Sequence, residues 1–166
     1  NYCLPKNEHD PEVILKTLSE LCEEVGRRLR IINKKGRTVS LYLSGDKSMG
    51  GRKTVHTYTH SGKDIFAAVK LFLTEWKWFE NNSGMVRQIH ISMSNLLDEK
   101  YETMGLFENP KESDVLHVID KLNNRFGNHT IRRGYNMQAP KLDTKPNGFF
   151  GDKVQRQQLQ TSIPQY

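Results

Sequence analysis

The sequence predicts an α+β fold in which two helices cover one face of a four-stranded, mostly antiparallel sheet. Two observations carry this prediction. The chain has 166 residues, which suits one domain of ordinary size or a smaller domain with an appendage. Up to residue 97, the pattern of apolar residues gives the order strand, helix, strand, strand, helix, strand, a split βαβ arrangement.

The two helices of this unit have recognisable starts. Asp10 before Pro11 is an N-cap followed by proline in the first turn, and the helix should fade at residues 31–33. Its predicted apolar stripe is Ile14, Leu18, Leu21, Cys22, Val25 and Leu29. Residues 61–64 are a capping-box candidate for the second helix, which should end at residues 81–84. Its predicted core face is Ile65, Val69, Phe72, Trp76 and Phe79.

The strands are predicted from alternating apolar residues. Residues 1–4 are read as the end of a first strand, and residues 34–37 as the turn after the first helix. Strict alternation then places Val39, Leu41 and Leu43 on one face. A flexible connection over 45–51 should lead to a return strand over 52–59. The last strand is marked by Val86, Ile89, Ile91 and Met93.

The sheet face that the helices leave uncovered should be polar. Its predicted members are Thr38, Ser40, Tyr42, Arg52, Thr54, His56, Arg87, Gln88, His90 and Ser92. Thr57 and Thr59 are compatible with either side. Such a surface is suited to a charged partner.

The distribution of charge indicates what that partner is. The chain has 25 Lys and Arg against 19 Asp and Glu, and a sequence pI near 9.3. Residues 27–53 contain nine basic side chains against Asp46 alone: Arg27, Arg28, Arg30, Lys34, Lys35, Arg37, Lys47, Arg52 and Lys53. This run favours a polyanionic partner, although a solvated basic surface is the alternative interpretation.

The chain changes character after residue 97. Residues 98–110 are predicted to be a linker, 111–133 a small helix-and-strand extension, and 134–166 a mostly irregular tail. The extension should begin near Asn109 and Pro110 and end its helix at Gly127, with 129–133 extended. Its predicted core stripe is Val115, Val118, Ile119, Leu122 and Phe126.

Several kinds of chemistry are disfavoured. Residues 45–54 only superficially resemble a phosphate-binding loop, because the Lys-Thr pair is displaced and a strand rather than a helix follows. The six histidines show no ligand spacing, so no metal site is expected. Cys3 and Cys22 suit a reducing, cytoplasmic location, and no apolar run is long enough to span a membrane. The sequence does not begin with Met, which suggests a piece of a longer protein.

Residues 18–30, 34–41 and 87–96 together resemble a known family. The string from Leu18 to Arg30, the segment Lys34–Leu41 and the strand Arg87–Leu96 are similar to the little finger domain of Y-family translesion DNA polymerases. The likeness is to the UmuC-like (ImpB/MucB/SamB) branch and covers residues 1–97. It departs from the family pattern at Gln88, where some members have a basic residue, and at His90, where glycine is frequent.

The resemblance implies a DNA-gripping domain that acts in damage tolerance and DNA repair. It implies non-specific phosphate contacts to primer–template duplex, which position DNA without reading its sequence. Transferred residue by residue, the contacts are Arg37, Thr38, Ser40, Arg52, Lys53, Thr54 and Arg87. The family's catalytic carboxylates and Mg²⁺ belong to the palm domain, so no catalytic residue and no cofactor are expected in this segment.

The linker implies a second partner. Residues 103–107 occupy the place of the branch's clamp-binding peptide, and Thr103, Met104, Leu106 and Phe107 would bind the sliding clamp. An apolar anchor onto the domain itself is the alternative. For the domain as a whole, the alternatives are a stand-alone RNA-binding module, for which Tyr42 and Tyr58 are the available stacking residues, and a protein-docking domain.

Overall fold

The computed structural model describes residues 1–78, 84–101, 110–137 and 139. Its elements are β1 (Tyr2–Glu8), α1 (Pro11–Ile31), β2 (Lys34–Gly45), β3 (Ser48–Thr59), α2 (Gly62–Glu75), β4 (Val86–Asp98) and α3 (Pro110–Phe126). Short 3-10 turns follow at Glu99–Tyr101 and Gly134–Asn136. The strands form one antiparallel sheet in the order β1-β4-β2-β3. The predicted α+β fold is confirmed.

Helix α1 forms where its cap and apolar stripe predict it. The Asp10 carboxylate accepts a hydrogen bond from the Glu12 backbone N–H at 2.9 Å, which satisfies one of the unpaired donors of the first turn. The stripe packs on the sheet, with Ile14, Leu18 and Cys22 almost completely buried. Burial raises the pKa of the Cys22 thiol well above its ordinary value, so this cysteine is an inert core residue.

The turn after α1 is shorter than predicted. It consists of Ile32 and Asn33, and Asn33 has a left-handed φ of 50°. Residues 34–37, predicted as the turn, are instead the start of β2, where Lys34 pairs with Asp98 of β4. The Lys34 ammonium lies 2.9 Å from the Asp98 carboxylate. Because Lys34 pairs with a residue 64 positions away, β2 begins earlier than the local alternation of apolar residues indicates.

The β2–β3 connection is also shorter than predicted. Strand β3 begins at Ser48, so Gly50 and Gly51 lie within the sheet and not in a flexible connection. A Cβ atom at residue 51 would lie 3.2 Å from Trp76 and 3.4 Å from Phe72. Glycine at this position lets the aromatic residues at the end of α2 approach the strand closely.

Helix α2 has the predicted core face and begins where predicted, but it ends at Glu75 and not at residues 81–84. Ile65, Val69 and Phe72 are buried, and Trp76 packs partly buried against the core. Phe79 and residues 81–83 lie outside the described residues. Ser61 occupies the N-cap position without a side-chain capping bond, so the predicted capping box does not form. The Asp64 carboxylate instead accepts a hydrogen bond from the Thr59 hydroxyl at 2.9 Å, because Thr59 is buried beside it.

Helix α3 packs against the outer side of α1, opposite the sheet. Polar contacts join α1 to α3 and to the segment after it, and we call these contacts together the α1–α3 interface. They are made by Ser19, Glu20, Glu23, Arg27 and Arg30 of α1 with Asp120 and Asn124 of α3 and with His129, Arg132, Arg133 and Asn136 after it. The predicted apolar stripe was wrong as a core face, because Val115, Val118 and Phe126 are more than half exposed, whereas Leu116 is buried. The strand predicted over 129–133 is not formed, and these residues adopt turns and irregular backbone instead.

None of the described helices has the length and apolar character needed to cross a lipid bilayer.

Candidate nucleic-acid interface

The sheet carries a polar surface on the side opposite the helices, which we call the open face. The pairing register determines which residues belong to it. Ser40 of β2 lies opposite Arg52 of β3 and Ser92 of β4, while the next residue of β2, Leu41, points into the core on the other side. The described central positions of the open face are Thr38, Ser40, Tyr42, Ser44, Ser48, Gly50, Arg52, Thr54, Gln88, His90, Ser92 and Ser94. Seven of these residues are serine or threonine, and none carries a carboxylate.

Contacts within the open face organise its hydroxyl groups. The Thr38 and Thr54 hydroxyls lie 2.9 Å apart across the two strands, and Thr38 is nearly buried. Tyr42 lies across β3 at Gly50, where a Cβ atom would be 2.6 Å from the tyrosine ring. Ser40 and Ser92, which face each other on the two central strands, remain partly accessible. The surface therefore offers hydroxyl groups rather than a row of cations.

Arg52 and Arg87 are the exposed predicted cations of this surface. Arg52 lies on the open face beside Ser40. Arg87 lies where the β2–β4 register shifts, between the pairs Ser44–Gln88 and Gly45–Val86, and its side chain is exposed. The register shift lets Val86 remain in the core while Arg87 and Gln88 are both accessible to solvent.

Arg37 is positioned by neighbouring strands. Its guanidinium carbon lies 5.2 Å from the centre of the Tyr58 ring, a cation–π distance. With the Asn95 amide oriented so that its oxygen faces the guanidinium, Arg37 Nε donates to it at 2.8 Å. The strand β3 bulges here, because Gly36 pairs with Thr59 while Thr38 pairs with Thr54. Arg37 is thus held at a bulge at one end of the sheet.

Lys53 does not join the other predicted contacts. It pairs with Val39, a core-facing residue, so its side chain lies on the helix side of the sheet. There its ammonium forms an ion pair with Glu75 at the end of α2. The structure brings Thr38, Ser40, Arg52 and Thr54 together on one face and places Lys53 on the other.

Much of the basic run over 27–53 is paired within the chain. Arg30 binds Asp120 through two guanidinium nitrogens, and Arg27 and Arg28 both contact Glu24. Lys34 pairs with Asp98. The sequence shows the excess of positive charge, but the acidic partners lie on α1 itself, on β4 and on α3. Alternation along the sequence already places Ser44 and Ser94 on the polar side of their strands. Ser48 was not predicted, because it lies in the segment that was read as a flexible connection.

His90 lies on the open face in place of the glycine that the family pattern favours. This residue is exposed as a whole, yet partial burial of its ring lowers the pKa of His90 below its ordinary value. At neutral pH this imidazole is therefore a neutral hydrogen-bonding group.

The predicted clamp-binding residues Thr103, Met104, Leu106 and Phe107 lie outside the described residues.

Comparisons with known proteins agree with this architecture. Residues 3–106 match the model of the impB/mucB/samB family C-terminal domain. The chain is 33% identical over 144 residues to DNA polymerase IV 2 of Bacillus subtilis, covering 82% of this chain and 34% of that protein. It is 33% identical over 129 residues to the Bacillus subtilis protein UvrX, covering 74% and 30% of the two chains. It is 30% identical over 138 residues to DNA polymerase IV of Pelotomaculum thermopropionicum, covering 81% and 33%.

These matches define the class of protein: the C-terminal domain of a Y-family polymerase. More narrowly, the chain belongs to the impB/mucB/samB family, the UmuC-like branch. It spans about a third of the length of the curated relatives it matches. The resemblance read from residues 18–30, 34–41 and 87–96 is confirmed.

Proposed function

We propose that the open face binds the sugar–phosphate backbone of duplex DNA without sequence preference, as the DNA-gripping domain of a translesion polymerase. The observation that carries this proposal is a strand surface that no described helix covers. It presents Arg52, Arg87 and several hydroxyl groups, and its described central positions include no carboxylate. Arginine and hydroxyl side chains are frequent donors to phosphate oxygens.

The chemistry of the open face suits a polymerase that must accept any template. Phosphate contacts fix the position of a duplex but carry no sequence information. Ser40, Thr54 and Ser92 can donate to phosphate oxygens on a strand that runs across β2, β3 and β4. The packing of α3 on α1 leaves this surface free of contact with the described part of the C-terminal extension.

The RNA-binding alternative has less support. Modules of that kind stack bases on aromatic side chains of the central strands. On the open face as described, Tyr42 is the aromatic residue of the central strands, and Tyr58 lies under the Arg37 guanidinium. One free aromatic ring is fewer than such stacking uses.

Adjacent residues of β3 give a matched test. Arg52→Gln should weaken binding to a 20-base-pair duplex about tenfold, the loss of one charge-assisted hydrogen bond of ~1.5 kcal/mol. It should also lower the salt slope of the logarithm of the affinity by about 0.9. Lys53→Gln removes the same charge on the opposite side of the sheet and should change neither. Affinity is measured by fluorescence anisotropy at several salt concentrations.

The outcomes of this comparison separate the candidate functions. Equal effects of the two substitutions would contradict the open face as the binding surface. Tighter binding of single-stranded RNA than of duplex DNA would favour the RNA-binding module, and binding that does not depend on salt would favour a protein-docking domain.

We further propose that the parent protein is a DNA-directed DNA polymerase with Mg²⁺ in its palm and that its site of action is the cytoplasm. The names of the relatives, DNA polymerase IV and DNA polymerase IV 2, support the polymerase part of this proposal. A sliding-clamp contact through residues 103–107 is part of the same proposal. Pull-down of the clamp with the wild-type chain and with a Leu106→Ala, Phe107→Ala variant would test it, and equal recovery would contradict it.

A further inference from the structure

Two histidines and a glutamate from three separate segments meet on the helix side of the sheet. His60 precedes α2, Glu99 follows β4, and His117 lies on α3. The His60 Nε2 atom is 3.2 Å from Glu99 Oε1, and His117 Nε2 is 3.9 Å from the same oxygen. One donor atom from each residue lies within 4.8 Å of the other two.

The spacing of these atoms is close to the coordination geometry of zinc. Zn²⁺ binds histidine nitrogen and carboxylate oxygen at about 2.0–2.2 Å, so tetrahedral ligands lie about 3.3–3.5 Å apart. The His60–Glu99 separation already has this size. His117 is about one-third exposed, so its ring can close the remaining gap by rotating without disturbing the core.

The surroundings of His60 hold it in place for this role. Its side chain is only 4% exposed, and its backbone carbonyl accepts a hydrogen bond from Arg30 Nη1 at 2.7 Å. The Nδ1 atom has no hydrogen-bond partner among the described residues. In the metal-free protein, Nε2 faces the Glu99 carboxylate at hydrogen-bond distance. A cation at this position would take the place of the proton between the two atoms, and the ring proton would then lie on Nδ1.

A hydroxyl oxygen lies beside these three donor atoms as a possible fourth ligand. The Ser113 hydroxyl of α3 lies 3.2 Å from His60 Nε2 and 3.4 Å from Glu99 Oε1. With a cation bound, this hydroxyl or a water molecule beside it would supply the fourth ligand. Arg30 and Lys35 contribute positive charge near His60, so the carboxylate of Glu99 is needed to make the site attractive to a dication.

We propose that His60, Glu99 and His117 form a structural transition-metal site, best suited to Zn²⁺, that fastens α3 to the rest of the domain. Two imidazoles and one carboxylate favour Zn²⁺ over Mg²⁺ or Ca²⁺, which prefer oxygen-only sites. The three ligands come from the loop before α2, the 3-10 turn after β4, and α3. One bound ion would therefore link the C-terminal extension to both halves of the α+β unit.

The site is distinct from the open face and its test is independent of DNA. The full 166-residue chain is treated with chelator and titrated with Zn²⁺ by calorimetry, and with Co²⁺ by visible absorption. We expect one Zn²⁺ per chain, the absorption of tetrahedral Co²⁺, no comparable binding of Mg²⁺, and a higher unfolding temperature with Zn²⁺.

Variants of the more accessible ligands keep the test interpretable. His117→Gln and Glu99→Gln should each weaken Zn²⁺ binding more than about tenfold, while far-UV circular dichroism confirms that the domain is folded. The control His9→Gln removes an exposed histidine outside the cluster and should leave the affinity unchanged. Absence of a one-to-one Zn²⁺ complex, or equal affinity in all three variants and the wild type, would overturn the proposal.

Discussion

The open face and the α1–α3 interface are both rich in polar residues, but they differ in how far these residues are exposed to water. On the open face, hydroxyl groups and arginines such as Arg52 face solvent. In the interface, charged groups are withdrawn from water: Arg30 is 4% exposed, and its partner Asp120 is 13% exposed. Charge that is accessible can bind a partner, whereas charge that is buried must be paired within the chain.

This difference changes the meaning of the basic run over 27–53. Arg30 binds Asp120 and the His60 carbonyl, so it is a structural residue. Glu20 is equally buried and lies between His129 at 2.8 Å and Arg132 at 3.2 Å. The Ser19 hydroxyl donates to Asn136 in the same layer. Counting basic residues along the sequence therefore overstates the charge available to DNA, because part of it holds the extension on α1.

The largest expected effect comes from breaking the buried pair. Asp120→Asn leaves the Arg30 guanidinium buried without its counter-charge and should lower the free energy of unfolding by about 3 kcal/mol. Arg52→Gln, on the open face, should change it by less than about 0.5 kcal/mol. Urea unfolding followed by tryptophan fluorescence measures both. If the two variants were equally stable, the proposed contrast between the two surfaces would be wrong.

The next largest effect on stability is expected from two glycine substitutions, one at Gly26 on the helix side of the sheet and one at Gly50 on the open face. A Cβ atom at Gly26 in α1 would lie 2.6 Å from the His60 carbonyl oxygen and 3.0 Å from the Gly62 nitrogen, both backbone atoms. The clash should cost about 1–3 kcal/mol of folding free energy. Alanine regains ~1 kcal/mol through its higher helix propensity, so we expect Gly26→Ala to be destabilising overall.

At Gly50 the same 2.6 Å approach involves the Tyr42 ring, which is 45% exposed and can rotate towards solvent. Gly50→Ala should therefore cost less than about 1 kcal/mol. Thermal unfolding of both variants decides this. A larger loss for Gly50→Ala would show that the open face is packed as tightly as the helix side.

The smallest expected effect concerns pH. Because burial lowers the pKa of His90, the free domain has this imidazole neutral at pH 7.5, and it becomes charged below the ordinary value of about 6.5. Duplex affinity should then rise about threefold between pH 7.5 and 5.5, ~0.7 kcal/mol for a screened contact. His90→Gln should remove this rise, whereas His9→Gln should preserve it.

The lowered pKa of His90 also makes the stability of the domain depend on pH. The unfolded chain takes up a proton at the ordinary pKa, while the folded domain binds it only at lower pH. The contribution of His90 to stability is therefore present above about pH 6.5 and is lost as the pH falls through that value. Urea midpoints at pH 7.5 and 5.5 should differ more for the wild type than for His90→Gln, and an identical difference would contradict this assignment.

The sequence by itself determined the elements and their facing. The Asp10 cap, the helical repeat of Ile14, Leu18 and Cys22, and the alternation of Val39, Leu41 and Leu43 are local patterns, and each was formed as predicted. They were sufficient for the α+β fold and for a polar sheet face, because amphipathic elements have few ways to bury their apolar sides.

The tertiary structure alone decided which charges are available and where the extension binds. Arg52 and Lys53 are adjacent in sequence, but the register with β2 sends one to the open face and the other to Glu75. The outward apolar stripe of α3 and the meeting of His60, Glu99 and His117 also depend on distant segments. A partner 90 residues away, such as Asp120 for Arg30, has no local signature, so only packing could identify it.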